Sequence, residues 1–279
     1  MMRASYFALV RSEVRRLLKN RVAYVFAATV FSLMLLTIFS SPDEQSALLF
    51  MVAGDNPKNV GGAIGFIGNL VDDNDIAGSA ARTSLVFTVL WIPLVIIYAV
   101  VVTAQDYSSA NYDVTKARGV PDFILVLGKC TTHGTYICLA YIVLNGMAFI
   151  YKLLQYGGSI TLDDALRYTT PSFLAAIILA TLFMEAFSLY QLTRSVAATS
   201  VIVVTLSVLV MAVFPSSYGN GAGPWSPILY LSPVFYLMNI CALNFKIVGV
   251  ISTLAYVAAA AFVTTVISVG ALKMREVFR

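Results

Sequence analysis

The sequence predicts an all-α integral membrane protein with six transmembrane helices, and three observations carry that expectation. Of 279 residues, 59% are hydrophobic and only 11% charged, a balance that would leave the surface of a water-soluble chain of this size uncovered. Charge-free runs recur at bilayer length, since a hydrocarbon core about 30 Å thick takes roughly 20 apolar residues in a helix. Lys and Arg then fall unevenly between successive loops, which sets the direction of each crossing.

The elements follow in order. Residues 1–21 read as a basic amphipathic helix. Phe7, Val10, Val14, Leu17 and Leu18 recur at a 3-4 spacing, while Arg11, Arg15 and Lys19 line another face with Ser12 and Arg16 beside them. Such a helix lies in the membrane interface, its stripe in the acyl boundary and its cations among anionic headgroups. The first span is 22–39. Its apolar run exceeds a signal-peptide core and Ser40-Ser41-Pro42 is a poor cleavage site, so it is expected to be retained. A large loop to Arg82 carries Asp72-Asp73-Asn74-Asp75, read as a solvated acidic loop in preference to a cation or cargo site. Gly61, Gly65 and Gly68 fall in the same loop.

Further spans are expected at 83–104, 130–151 and 168–193, the last interrupted only by Glu185. From Ser195 to Phe245 there is no Asp, Glu, Lys or Arg, a run too long for one crossing. Residues 195–214 make a fifth span, which Pro215 and Gly219 are expected to stop. The aromatic, Pro-rich stretch 215–246 reads as short re-entrant helices at the outer boundary, and 247–272 as the last span. The competing reading makes that stretch a seventh span, with the C-terminal tail outside.

Orientation follows from the loops. Thirteen Lys and Arg fall on the side of the N-terminal segment, the 105–129 loop, Arg194 and the tail. Five (Lys58, Arg82, Lys152, Arg167, Lys246) fall on the other, with eight acids. The expectation is one domain, 1–279, multi-pass, with both termini in the cytoplasm. Cys130, Cys138 and Cys241 lie in apolar runs without metal-ligand spacing and read as buried small hydrophobes.

The loop 105–129 is long for a connector between helices. Ser108 or Ser109 is placed to cap a short helix running to Ala117, Gly119 to end it, and Pro121 to start the next element. An aromatic-Ser-small stretch after the second span, then Arg118-Gly119, then Gly128-Lys129 opening the third span, resembles the membrane subunit of ABC-2-type (type V) exporters. The basic elbow helix, the large loop after span one, the short turn between spans four and five, and Leu231-Ser-Pro-Val-Phe-Tyr236 before span six agree in order.

The resemblance implies a plasma (inner) membrane permease of bacterial type. It implies a separate ATP-binding cassette subunit that contacts the elbow helix and the loop after span two, and pairing with a second copy or a related permease. By position, the coupling surface comprises Asp106, Tyr107, Ser108, Ser109, Ala110, Asn111, Tyr112, Asp113 and Lys116. The family often carries an acidic residue or glycine where this chain has Ala110-Asn111.

The residues themselves agree that energy comes from elsewhere. A phosphate-binding loop needs G-x-x-x-x-G-K-[ST] between a strand and a helix. Here Cys130 follows Gly128-Lys129, Phe123 stands at the first Gly position, and the context is a membrane helix. No catalytic, cofactor-binding or metal set is expected in this chain, and ATP and Mg2+ belong to the partner. His133, the single histidine, reads as a packing residue. Glu185 is an intramembrane charge and so a functional candidate, with pairing to Arg194, Lys129 or a cation across a dimer as the structural reading. The function expected is permease for an amphipathic or hydrophobic cargo (drug, lipid or antimicrobial peptide), with lipid and the ATPase as partners and no nucleic acid. The alternatives are an ion-coupled secondary transporter, a non-transporting immunity or assembly protein, and an intramembrane enzyme.

Overall fold

The computed structural model describes residues 2–41, 60–63, 66–68, 71, 75–109, 111–157, 161–219, 229–241, 243 and 249–277. The chain opens with α1 (Met2–Leu17), which ends short of the predicted 1–21. Asn20 supplies the reason. Its side chain accepts from the Val22 amide at 2.9 Å and caps a new helix, α2 (Arg21–Phe39).

Among the described residues the regular structure is helical, as the all-α expectation has it, apart from one short hairpin. β1 (Val60–Ala63) and β2 (Phe66–Gly68) pair antiparallel in the segment read as an outer loop, with Gly61 and Gly68 in the strands. Gly65 and Asp72-Asp73-Asn74 lie outside the described residues. Asp75 is the N-cap of α3 (Ile76–Leu85), accepting from the Gly78 amide at 3.0 Å, and it pairs with Arg82 at 3.9 Å. The predicted span 83–104 is therefore two helices, α3 and α4 (Thr88–Ser108), joined through Val86-Phe87.

After α4 comes the short α5 (Asn111–Ala117). Gly119 follows at φ +76°, a left-handed conformation that glycine adopts without steric cost. Then α6 runs from Asp122 to Gln155, α7 from Leu162 to Thr193 and α8 from Val196 to Gly219. α6 exceeds its predicted span at both ends. Its 34 residues reach about 51 Å, more than the hydrocarbon core requires. Thr161 caps α7, and Arg194 at φ +54° makes the tight turn into α8 that the sequence predicts. α8 continues past Pro215 to Gly219 instead of stopping there.

α9 (Pro233–Cys241) and α10 (Val250–Val277) complete the chain. All nine residues of α9 are buried, packed against α7, α8 and α4. Residues 220–228, 242 and 244–246 of that stretch, with 247–248 at the start of the predicted last span, lie outside the described residues.

Among the described residues, five helices are long and apolar enough to cross a membrane: α2, α3 with α4 as one unit, α6, α7 and α10. α8 is a further apolar helix. α7 is the hub and packs against α3, α4, α6, α8, α9 and α10. Ala175, Ala176 and Ala186, all fully buried, allow those close approaches, because small side chains let helix backbones meet in lipid. α2 and α10 present Val25, Phe39, Ile251 and Phe262 outward, apolar surface suited to acyl chains.

Candidate functional site

At the end of the bundle that carries α1 and α5, four charged side chains from three helices form one cluster, buried except at Arg16. Glu13 (α1) accepts from Arg16 at 2.9 Å and from Lys129 (α6) at 3.3 Å. Asp106 (α4) pairs with both Arg16 and Lys129. Two carboxylates and two cations balance, and the side chains of Glu13, Asp106 and Lys129 are 3–4% exposed. Burial alone works against the Arg16 charge. Asp106 and Glu13 outweigh it and hold that guanidinium above its usual pKa.

A hydrogen-bonded extension joins α5 and α7 to the cluster. The Lys129 ammonium stands 5.2 Å from the Tyr112 ring centroid, and Tyr112 stacks on Tyr107 at 4.7 Å. Tyr107 donates to Gln191 Oε1, and Gln191 Nε2 donates to the Tyr112 hydroxyl at 2.9 Å. Burial, with Tyr107 and Asp106 nearby, pushes the Tyr112 phenol well above its ordinary pKa, so it stays neutral and accepts from Gln191. Replacing Gln191 by Leu should strip both tyrosines of this partner at a cost of about 1–3 kcal/mol. Hydrogen exchange should then quicken over 111–117 while the centre of α7 keeps its protection.

α1 sits on this cluster through a closely fitted contact. Leu9 is buried, and a methyl group at Gly128 would stand 2.7 Å from its Cδ2 atom. Tyr6 donates to Thr131 at 3.0 Å. Gly128→Ala should cost about 1 kcal/mol, because the end of Leu9 can rotate away. Gly128→Phe should lift α1 off α6, read as loss of exchange protection along Met2–Leu17. α1 and the turn after it thus have three faces: Leu9, Glu13 and Arg16 inward, the cations Arg11, Arg15 and Lys19 exposed, and Phe7, Val14 and Leu18 exposed as an apolar edge.

The residues expected at the coupling surface divide. Asp106 and Tyr112 are buried. Ser108 and Ser109 are exposed. Both donate to the Gln105 carbonyl and close the end of α4. Tyr107 and Asp113 are partly buried, and Lys116, also partly buried, pairs with Asp122 at 3.0 Å. Ala110 and the Asn111 side chain lie outside the described residues. Val114 and Phe123 are about half exposed beside them, apolar side chains that the sequence reading passed over.

Lys129 is committed to Glu13 and Asp106, which removes it as a partner for Glu185. Glu185 instead accepts from the Tyr256 hydroxyl at 2.8 Å. His133 packs: its Nδ1 lies 2.8 Å from the Tyr98 hydroxyl, and its ring stacks on Phe183 at 5.5 Å. Among the described residues, no three His, Cys, Asp or Glu side chains cluster to hold a metal ion. Glu13 and Gln191 are site residues that sequence reasoning missed, and Lys129 is expected from the sequence only at the opening of the third span and as a partner for Glu185. Glu13 and Lys129 are 116 residues apart, and nothing in their local patterns pairs them. No family model matches this chain, and no curated protein matches it.

Proposed function

We propose that the chain is the membrane subunit of an ATP-driven exporter, worked by a separate ATP-binding subunit that presses on the α1 and α5 face. One observation carries this reading: α1 and α5 are tied by a single buried network to α4, α6 and α7. A force applied to either short helix therefore reaches three long ones. A passive connector would need no such wiring. The ordering of elbow, short loop helix and long helices, on which the resemblance to ABC-2-type exporters rests, supports the same reading.

In this proposal the chain crosses a bacterial plasma membrane six times, α8 included, with both termini in the cytoplasm and α1 lying in the inner interface. Exposed Arg11, Arg15 and Lys19 meet anionic headgroups, and the Phe7, Val14 and Leu18 edge meets acyl chains. Two membrane subunits pair, alike or related. ATP binding in the partner draws its two copies together, and α5 and α1 pass that motion to the spans. Val114 and Phe123 are the apolar side chains placed to anchor it.

Affinity purification in mild detergent tests this directly. An ATPase should co-purify with the tagged native chain and be lost, or fail to respond to it, when Tyr107–Lys116 is replaced by a Gly/Ser linker. Absence of any ATPase from both samples would overturn the proposal and favour an ion-coupled or non-transporting role.

A further inference from the structure

A groove lined by α7, α10 and Leu231 holds a carboxylate in a mostly apolar wall. It is a cavity of about 370 Å³, within the usual range for small-molecule sites of about 300–1,000 Å³. Leu189, Leu192, Val263 and Ile267 supply its alkyl surface. Ala259 and Ala260 leave room where larger residues would close it. Deeper in, Ser188 is taken up by the Thr264 carbonyl at 2.9 Å and by Ser268, so those polar groups are satisfied within the protein.

Glu185 is different. Its one hydrogen bond among the described residues is from Tyr256, itself held by stacking on Tyr236 at 4.4 Å. No cation pairs with Glu185 among the described residues. A carboxylate within a span is costly and calls for a partner of opposite charge. Here one oxygen is positioned by a tyrosine while the groove beside it stays open and greasy. The shape, the polarity and the single negative charge together specify an occupant.

We propose that this groove binds a lipophilic organic cation, its charge against Glu185 and its apolar body along Leu189, Leu192, Val263 and Ile267. The ligand supplies what the protein omits, a positive charge that offsets the burial of the carboxylate, while its hydrocarbon surface replaces acyl chains in the groove. A neutral acyl chain would fill the space but leave Glu185 uncompensated. A small hydrated cation would balance the charge but leave the apolar walls unused.

The inference goes beyond the exporter reading and does not depend on it, because it is tested on the chain alone. The purified protein in a neutral detergent is titrated with radiolabelled tetraphenylphosphonium, and unlabelled tetraphenylborate serves as a competitor of the same shape and opposite charge. The native chain should bind tetraphenylphosphonium saturably, without competition from tetraphenylborate. Glu185→Gln still accepts from Tyr256 and should weaken binding about tenfold or more. Glu185→Asp, which keeps the charge, should retain most of it. Ala260→Phe should block the groove, with elution as a monodisperse species checking that each variant is folded. Equal binding by Glu185→Gln, effective competition by tetraphenylborate, or no saturable binding by the native chain would each overturn the proposal. Failure to capture an ATPase would bear only on the exporter reading.

Discussion

Lys129→Met should be the most damaging single substitution at the α1 and α5 end of the bundle. The cluster is neutral as it stands, with Glu13 and Asp106 set against Arg16 and Lys129. Taking away Lys129 leaves a second carboxylate without its partner where side chains are 3–4% exposed. Breaking a buried pair from one side typically costs about 3–5 kcal/mol, because the remaining charge is neither solvated nor paired. Thermal unfolding in detergent should show the midpoint falling by on the order of 10 °C. Arg16→Met should cost far less, since the Arg16 side chain is 38% exposed and its charge is partly solvated already.

The double variant Lys129→Met, Asp106→Leu separates the charge imbalance from loss of packing. It removes one charge of each sign and leaves Glu13 with Arg16, so most of the lost stability should return. A double-mutant cycle on the same midpoints gives the coupling. If the double variant is as unstable as the sum of its parts, the cluster does not act as a unit, and the mechanical link between α1 and the long helices loses its basis.

The sequence made the spans legible and their ends much less so, for one physical reason. Reading for charge-free runs assumes that a helix leaves the membrane where a charge appears. Asp106, Lys129 and Lys152 all break that assumption, because each lies inside a helix and is buried. The Lys152 ammonium donates to the Ser40 carbonyl at 2.6 Å, a partner 112 residues away. A charge with a tertiary partner does not end a helix, and tertiary partners leave no trace in local pattern. The short loop helix was legible because Gly119 marks its end. The wiring beneath it was not, since the link from Glu13 through Lys129 to Tyr112 and Gln191 crosses four elements. The groove at Glu185 stood between: the lone carboxylate was visible, its neighbour Tyr256 was not.

Phe183→Ala should test whether α7 is the hub that its contacts imply. α7 and α10 look alike as apolar segments, yet α7 has neighbours on every side and α10 presents much of its surface outward. Phe183 is 1% exposed; its ring stacks on His133 at 5.5 Å and lies 6.1 Å from Tyr98 and 6.3 Å from Phe187. Removing it opens a cavity where α4, α6 and α7 meet, and nothing on these aromatic walls can collapse to fill it. In lipid the burial term is weak, because hydrocarbon surrounds the protein in any case. The lost dispersion contacts remain, and Phe→Ala in a packed site costs about 3–5 kcal/mol. The same truncation at Phe262, which is 70% exposed on α10, should shift the unfolding midpoint little. Phe183→Leu keeps most of the volume and should fall between the two. A Phe262→Ala effect as large as that of Phe183→Ala would mean that the outward face of α10 packs against something other than lipid or detergent.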